Sequence, residues 1–101
     1  MLQFDALPLH DAVVEDIILI WGERTLNFNV LAFAESGKEA SPYKLQFFGV
    51  SSFICLHQSS WGESSFVNQA TELSGVYVIE MQSGDKIEII ADTFLFLSVA
   101  S

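Results

Sequence analysis

The sequence predicts a mainly β domain: about six or seven mostly antiparallel strands in a sandwich or partly open barrel, with at most one short helix. Two observations lead there. Half of the residues are apolar, yet they fall into short runs of alternating character, rich in Val, Ile and Phe, which suit a pleated and half-buried surface. Turn-forming residues separate these runs at strand-length intervals. A chain of 101 residues with no internal repeat and no compositional break reads as one domain, 1–101.

Taken in order, residues 1–11 are a lead-in broken by Pro8 and ended by His10-Asp11. Residues 12–21 form a β-branched, apolar strand. Gly22-Glu23-Arg24 is a turn, and in the next strand, 25–34, Leu26, Phe28 and Val30 point one way while Asn27 and Asn29 point the other. A three-residue and a four-residue loop between these two strands bury equally acceptable sets. Residues 35–42 are a loop. Residues 43–48 are a strand, Gly49 interrupts, and 50–58 form another. Residues 59–75 are Ser-rich and lack alternation, with a short helix at 66–73 as the one candidate element.

Strands at 76–82 and 86–91 flank Ser83-Gly84-Asp85 in the clearest hairpin of the chain. A three-residue loop there sets Met81 opposite Ile87 and Ile79 opposite Ile89, giving one wholly apolar face, but it also opposes Glu80 and Glu88. The last strand, 93–99, is apolar on both faces: Phe94 and Phe96 on one, Leu95, Leu97 and Val99 on the other. Such a strand needs cover on both sides, and a homodimer is the expectation that follows.

Composition excludes several functions. Thirteen Asp and Glu stand against four Lys and Arg, for a net charge of −9. No basic cluster is available to displace counterions from phosphates, so neither nucleic acid nor an anionic membrane is expected as a partner. The longest apolar run, 17–21, is far short of the ~20 residues of a membrane helix. Cys55 is the single cysteine, and the first residues carry no basic stretch of the kind that opens a signal peptide. A cytoplasmic location is therefore expected.

Four features carry possible chemistry. His10-Asp11, with Glu15 and Asp16 nearby, supplies an imidazole beside carboxylates, as a general base or metal site requires. Adjacent strand residues point to opposite faces, so the two converge only where the backbone turns. Cys55 and His57 share a strand face and could serve as nucleophile and base or as two ligands, with core packing as the plainer role. Trp61, set among Ser and Gly with Glu63 beside it, is either a lid over the sheet or a recognition residue. Glu80, Asp85 and Glu88 lie near one hairpin, but their spacing is not that of a Ca²⁺ loop. No phosphate-binding, dinucleotide-binding or metalloprotease motif is present, and no catalytic residue, metal or cofactor is expected.

Leu7-Pro8-Leu9-His10-Asp11-Ala12, then Trp61-Gly62-Glu63-Ser64 with Val67-Asn68, and Ile79-Glu80-Met81-Gln82-Ser83-Gly84-Asp85 together resemble a set of small, uncharacterised bacterial proteins. The Leu-His-Asp-Ala opening is also similar to all-β immunity proteins of bacterial toxin systems. That second resemblance implies a stoichiometric inhibitor, and an acidic surface would suit a basic toxin domain. The expectation is thus a non-enzymatic protein-binding domain for a basic partner, with Trp61, Glu63 and Asn68 in the contact. The alternative is a β-barrel that binds a small molecule or metal through His10, Asp11, Cys55 and His57.

Overall fold

The computed structural model describes residues 3–33 and 39–99. Eight strands follow one another: β1 (Val13–Ile20), β2 (Thr25–Ala32), β3 (Ser41–Phe48), β4 (Ser52–Cys55), β5 (Val67–Leu73), β6 (Val76–Met81), β7 (Lys86–Ile90) and β8 (Thr93–Ser98). They make two antiparallel four-stranded sheets, ordered β1-β2-β3-β8 and β4-β7-β6-β5. Neither closes on itself, so of the two predicted architectures the chain adopts the sandwich. Part of the loop expected at 35–42 lies outside the described residues, and Ser41 and Pro42 already belong to β3.

The core is the sum of the inward rows. On β2, Leu26, Phe28, Val30 and Ala32 are buried, and on β3 Leu45 and Phe47 meet them. From the other sheet come Tyr77, Ile79 and Met81 of β6 with Ile87 and Ile89 of β7. Fully burying one such Phe or Leu side chain stabilises the fold by roughly 1.5–3 kcal/mol relative to leaving it exposed.

Three expectations need correction. The β6–β7 hairpin keeps its apolar face but not the expected register: Ile79 faces Ile87, Glu80 faces Lys86 and Glu88 faces Val78. The loop still has three residues, Gln82-Ser83-Gly84, closed by Met81 N–H to Asp85 C=O at 2.8 Å and Gly84 N–H to Met81 C=O at 3.0 Å. Gly84 takes the left-handed position that ends such a loop (φ 92°). This register opposes Glu80 with a lysine and removes the carboxylate clash. Second, 66–73 is not a helix. Phe66 forms an isolated bridge to Val13, and β5 follows it, so the described residues hold eight strands. Third, the strand expected at 50–58 pairs only over its four central residues, as β4.

The loop between β1 and β2 resolves to four residues, with Ile20 facing Thr25. A 3₁₀ turn at Trp21–Glu23 is followed by Arg24 in the left-handed conformation (φ 52°). In β1 the register shifts between Val14 and Asp16, leaving Glu15 as the extra residue of a bulge.

The lead-in is more than a leader to the first strand. Phe4, Leu7, Leu9 and Ala12 are all buried. A 3₁₀ turn at Phe4–Ala6 wedges Phe4 between the sheets, its ring 5.9 Å from Phe47, 5.0 Å from Tyr77 and 5.3 Å from Phe94. The Asp5 carboxylate accepts the Glu72 N–H at 2.7 Å and ties the turn to β5. The N-terminal segment thereby closes the side of the sandwich where β8 and β5 form the margins.

Candidate functional site

The opposite side, between margins β1 and β4, has no such plug. Two clefts run along it. The larger, about 600 Å³, is lined by Leu19, Trp21 and Arg24 together with Val50 and Phe53. The second, about 310 Å³, has Val14 and Ile17 of β1 on one wall and Met81 and Ile87 beneath, with Cys55, His57, Ser64, Ser65 and Asp85 around it. Glu15 and Asp16 complete its rim.

The open seam follows from the strands that border it. Residues 14, 17 and 19 pair with Val30, Phe28 and Leu26, whose side chains are buried, so they belong to the inward row of β1. Only the start of this margin is covered, by Ser65 and Phe66; further along, Leu19 stays 43% exposed, and Trp21 at the end of the strand is 86% exposed. Arg24 donates from Nε to the Val50 carbonyl at 3.1 Å, which fixes the guanidinium at the far end of the larger cleft. Trp21 was placed by its sequence at the end of an apolar strand. Its exposure arises because the chain turns away immediately after it.

Asp85 organises the lower cleft. Its side chain is buried, and it accepts the Gln58 N–H at 2.7 Å, the Ser59 N–H at 3.0 Å and the Ser83 hydroxyl at 2.7 Å. These donors, the Gln58 amide foremost, hold its carboxyl below the ordinary carboxylate value. Burial opposes that shift, and nearby His57 adds a smaller lowering. Asp85 is therefore a structural clasp between the hairpin and the segment that follows β4. It does not gather with Glu80 and Glu88 as a cation site, since Glu80 instead accepts from Asn68 Nδ2 at 2.8 Å.

The sequence-predicted residues divide between two places. Cys55 and His57 line the lower cleft together. Cys55 is exposed, and its thiol is pushed above its usual pKa by burial first and by the Asp85 charge second, which disfavours the thiolate a nucleophile needs. His10 lies elsewhere, against a third cleft with Asp5, Leu7 and Asn68. There the backbone does turn: Asp11 is left-handed (φ 65°), and His10 Nε2 and Asp11 Oδ2 come within 3.6 Å. His10 Nδ1 lies 2.6 Å from the Asn68 carbonyl, and Asp11 accepts from Gln82 Nε2 at 2.6 Å. These contacts tie the lead-in to β5 and to the β6–β7 loop. Among the described residues, no three His, Cys, Asp or Glu side chains gather in a way that could hold a metal ion.

Trp61 stands 73% exposed on the β6–β7 hairpin. Its backbone N–H donates to the Ser83 carbonyl at 2.9 Å, and its ring lies over Gly84. A Cβ on Gly84 would come within 2.9 Å of the Trp61 ring. Gly84→Ala should therefore act twice, straining a left-handed turn and lifting the indole. The expected cost is more than ~1 kcal/mol, read as a lower Tm together with a shift in Trp fluorescence. An unchanged spectrum would show that the ring does not rest on the glycine.

No protein-family model, curated protein or solved structure matches the chain. Among the described residues, the one side-chain ion pair within salt-bridge distance is His10 with Asp11, and the Asp16 carboxylate accepts from Asn29 Nδ2 at 2.6 Å. Among the same residues, no helix is long and apolar enough to cross a membrane.

Proposed function

We propose that this chain is a non-enzymatic protein-binding domain that takes a basic partner along the seam between β1 and β4. The observation that carries the reading is a pair of apolar clefts left open by the sandwich, with Glu15 and Asp16 on the rim of the lower one and, among the described residues, no Lys or Arg within salt-bridge distance of either. An apolar floor with a charged rim matches the centre and border of a protein interface, and unpaired carboxylates steer a cationic partner toward it. Trp61 stands on the hairpin that walls the lower cleft, and Trp21 stands at the other end of the seam. Exposed Trp at such positions is favoured as a binding hot spot.

An inhibitor of the immunity type is the specific form of this function that the N-terminal resemblance favours. In that form the domain would occupy a basic toxin surface in a one-to-one complex. A free, exposed cysteine and the absence of any second cysteine fit a reducing, cytoplasmic setting.

The test is a binding titration against the basic protein retained by the wild-type chain at low salt. Charge reversal of the rim, with Glu15→Lys and Asp16→Lys together, should weaken binding at least tenfold and flatten its salt dependence. Trp61→Ala should cost about 2 kcal/mol of affinity, close to thirtyfold. Glu63→Ala, in the same loop, should reduce the on-rate more than it raises the off-rate. Affinity unchanged by the rim reversal would remove the seam from the interface.

A further inference from the structure

We infer that β8 is a dimerisation strand, pairing edge to edge with β8 of a second copy of this chain. The two sheets have four margins, β1, β8, β4 and β5, and an exposed margin is a template for added strands unless it is blunted. Three of the four are blunted. β1 carries Glu15 and Asp16, is bulged at Glu15, and has its start covered by Ser65, whose carbonyl accepts the Val14 N–H. β5 is bulged between Val67 and Gln69, carries Glu72, and gives the Glu72 N–H to Asp5. β4 is only four residues long.

Among the described residues β8 has none of these protections: Phe4 packs against its Phe94 ring but makes no hydrogen bond to its backbone. Its six residues, Thr93-Phe94-Leu95-Phe96-Leu97-Ser98, include no charge, no Pro and no Gly, and its register with β3 is unbroken from Thr93 to Ser98. The other row of its backbone N–H and C=O groups faces out of the sheet. Its outward face exposes about half of Leu95 and of Leu97, and Val99 continues the strip.

Charge decides which partner fits. A chain of net charge −9 can meet its own copy closely only where it presents no carboxylates. β8 is the longest margin that meets this condition. A basic partner gains nothing from it, because it offers no anion to pair with. Antiparallel pairing about a two-fold axis centred on Phe96 sets Leu95 of each copy opposite Leu97 of the other and leaves the two Asp92 carboxylates at opposite ends. The product is one continuous eight-stranded sheet, an isologous arrangement that closes after two copies.

Light scattering on the full chain, from micromolar to submillimolar concentration, tests this. The wild type should reach twice the 11.2 kDa chain mass. A Leu95→Lys, Leu97→Lys double variant should stay at one chain mass with an unchanged circular dichroism spectrum, since both side chains point away from the core. Amide exchange on the wild type should show β8 protected at high concentration and released on dilution, a readout that needs no variant. A wild-type monomer across the range would overturn the inference. So would a dimer whose concentration-dependent protection falls on β1 and β4, which would assign self-association to the open seam instead.

Discussion

Phe4→Ala is expected to destabilise the domain by about 3–5 kcal/mol, the range for removing a fully buried Phe. The residue sits in a short segment that carries none of the regular strands, yet only 1% of its surface is exposed. Its ring touches aromatic side chains from both sheets: Phe47 and Phe94 from one and Tyr77 from the other. Deletion would leave a cavity shared by three rings, two of which, Tyr77 and Phe94, also contact each other edge to face at 5.8 Å. It would also free the turn that fastens β5 through Asp5. Against a total stability of ~5–15 kcal/mol, such a loss could unfold the chain at physiological temperature. Urea denaturation of the variant checks it. A shift in midpoint worth less than ~1 kcal/mol would show that the segment does not plug the sandwich in solution.

Asp85→Asn should produce the largest loss of stability of any single polar substitution, and one that depends on pH. The carboxylate serves three donors, and an amide can offer an oxygen to only some of them while turning an N–H toward the rest. The segment after β4 would come loose, and with it the wall of the lower cleft. The sign of the pH effect follows from the lowered pKa of Asp85. Because folding favours the ionised form, the stabilisation is fully present above the ordinary Asp pKa and is lost as pH falls through the lower native value. Wild type should therefore lose more stability on acidification than the variant does, and the two Tm curves should converge in acid. Parallel curves would mean that Asp85 is not the clasp.

What was legible in the sequence was whatever alternates. The inward row of β2 and the apolar face of the β6–β7 hairpin could be read from a period of two, and they are the centre of the core. The hairpin register could not be read to the residue, because a shift that keeps the same face inward leaves the apolar pattern intact. Only the pairing of Glu80 with Lys86 rather than Glu88 distinguishes the two, and that clue was present in the charges. β5 was illegible for a different reason. It is a margin strand with a bulge; Val67 is its one buried residue, and Thr71, Glu72 and Leu73 all face solvent. Its strand character comes from pairing with β6.

The candidate site was legible only in pieces. Cys55 and His57 both line the lower cleft, but not as neighbours on one strand face, since β4 ends at Cys55 and His57 lies beyond it. Their neighbours Val14, Ile17 and Asp85 come from distant parts of the chain, and no local signal links them. Likewise, an apolar β1 announces burial, whereas the structure leaves its margin open. That openness depends on which side of the sandwich the lead-in plugs, a tertiary fact with no counterpart in any window of sequence.

The wedge formed by Phe4 also sets an order of events in time. During synthesis this residue leaves the ribosome well before its partner Phe94. The lead-in must wait, unpacked, until β8 has been made. Closure of the sandwich then joins distant parts of the chain in one late step. Such long-range closure places the domain among slow folders, on the scale of milliseconds to seconds. The nascent chain would meanwhile display the very aromatic surface that the finished fold hides best.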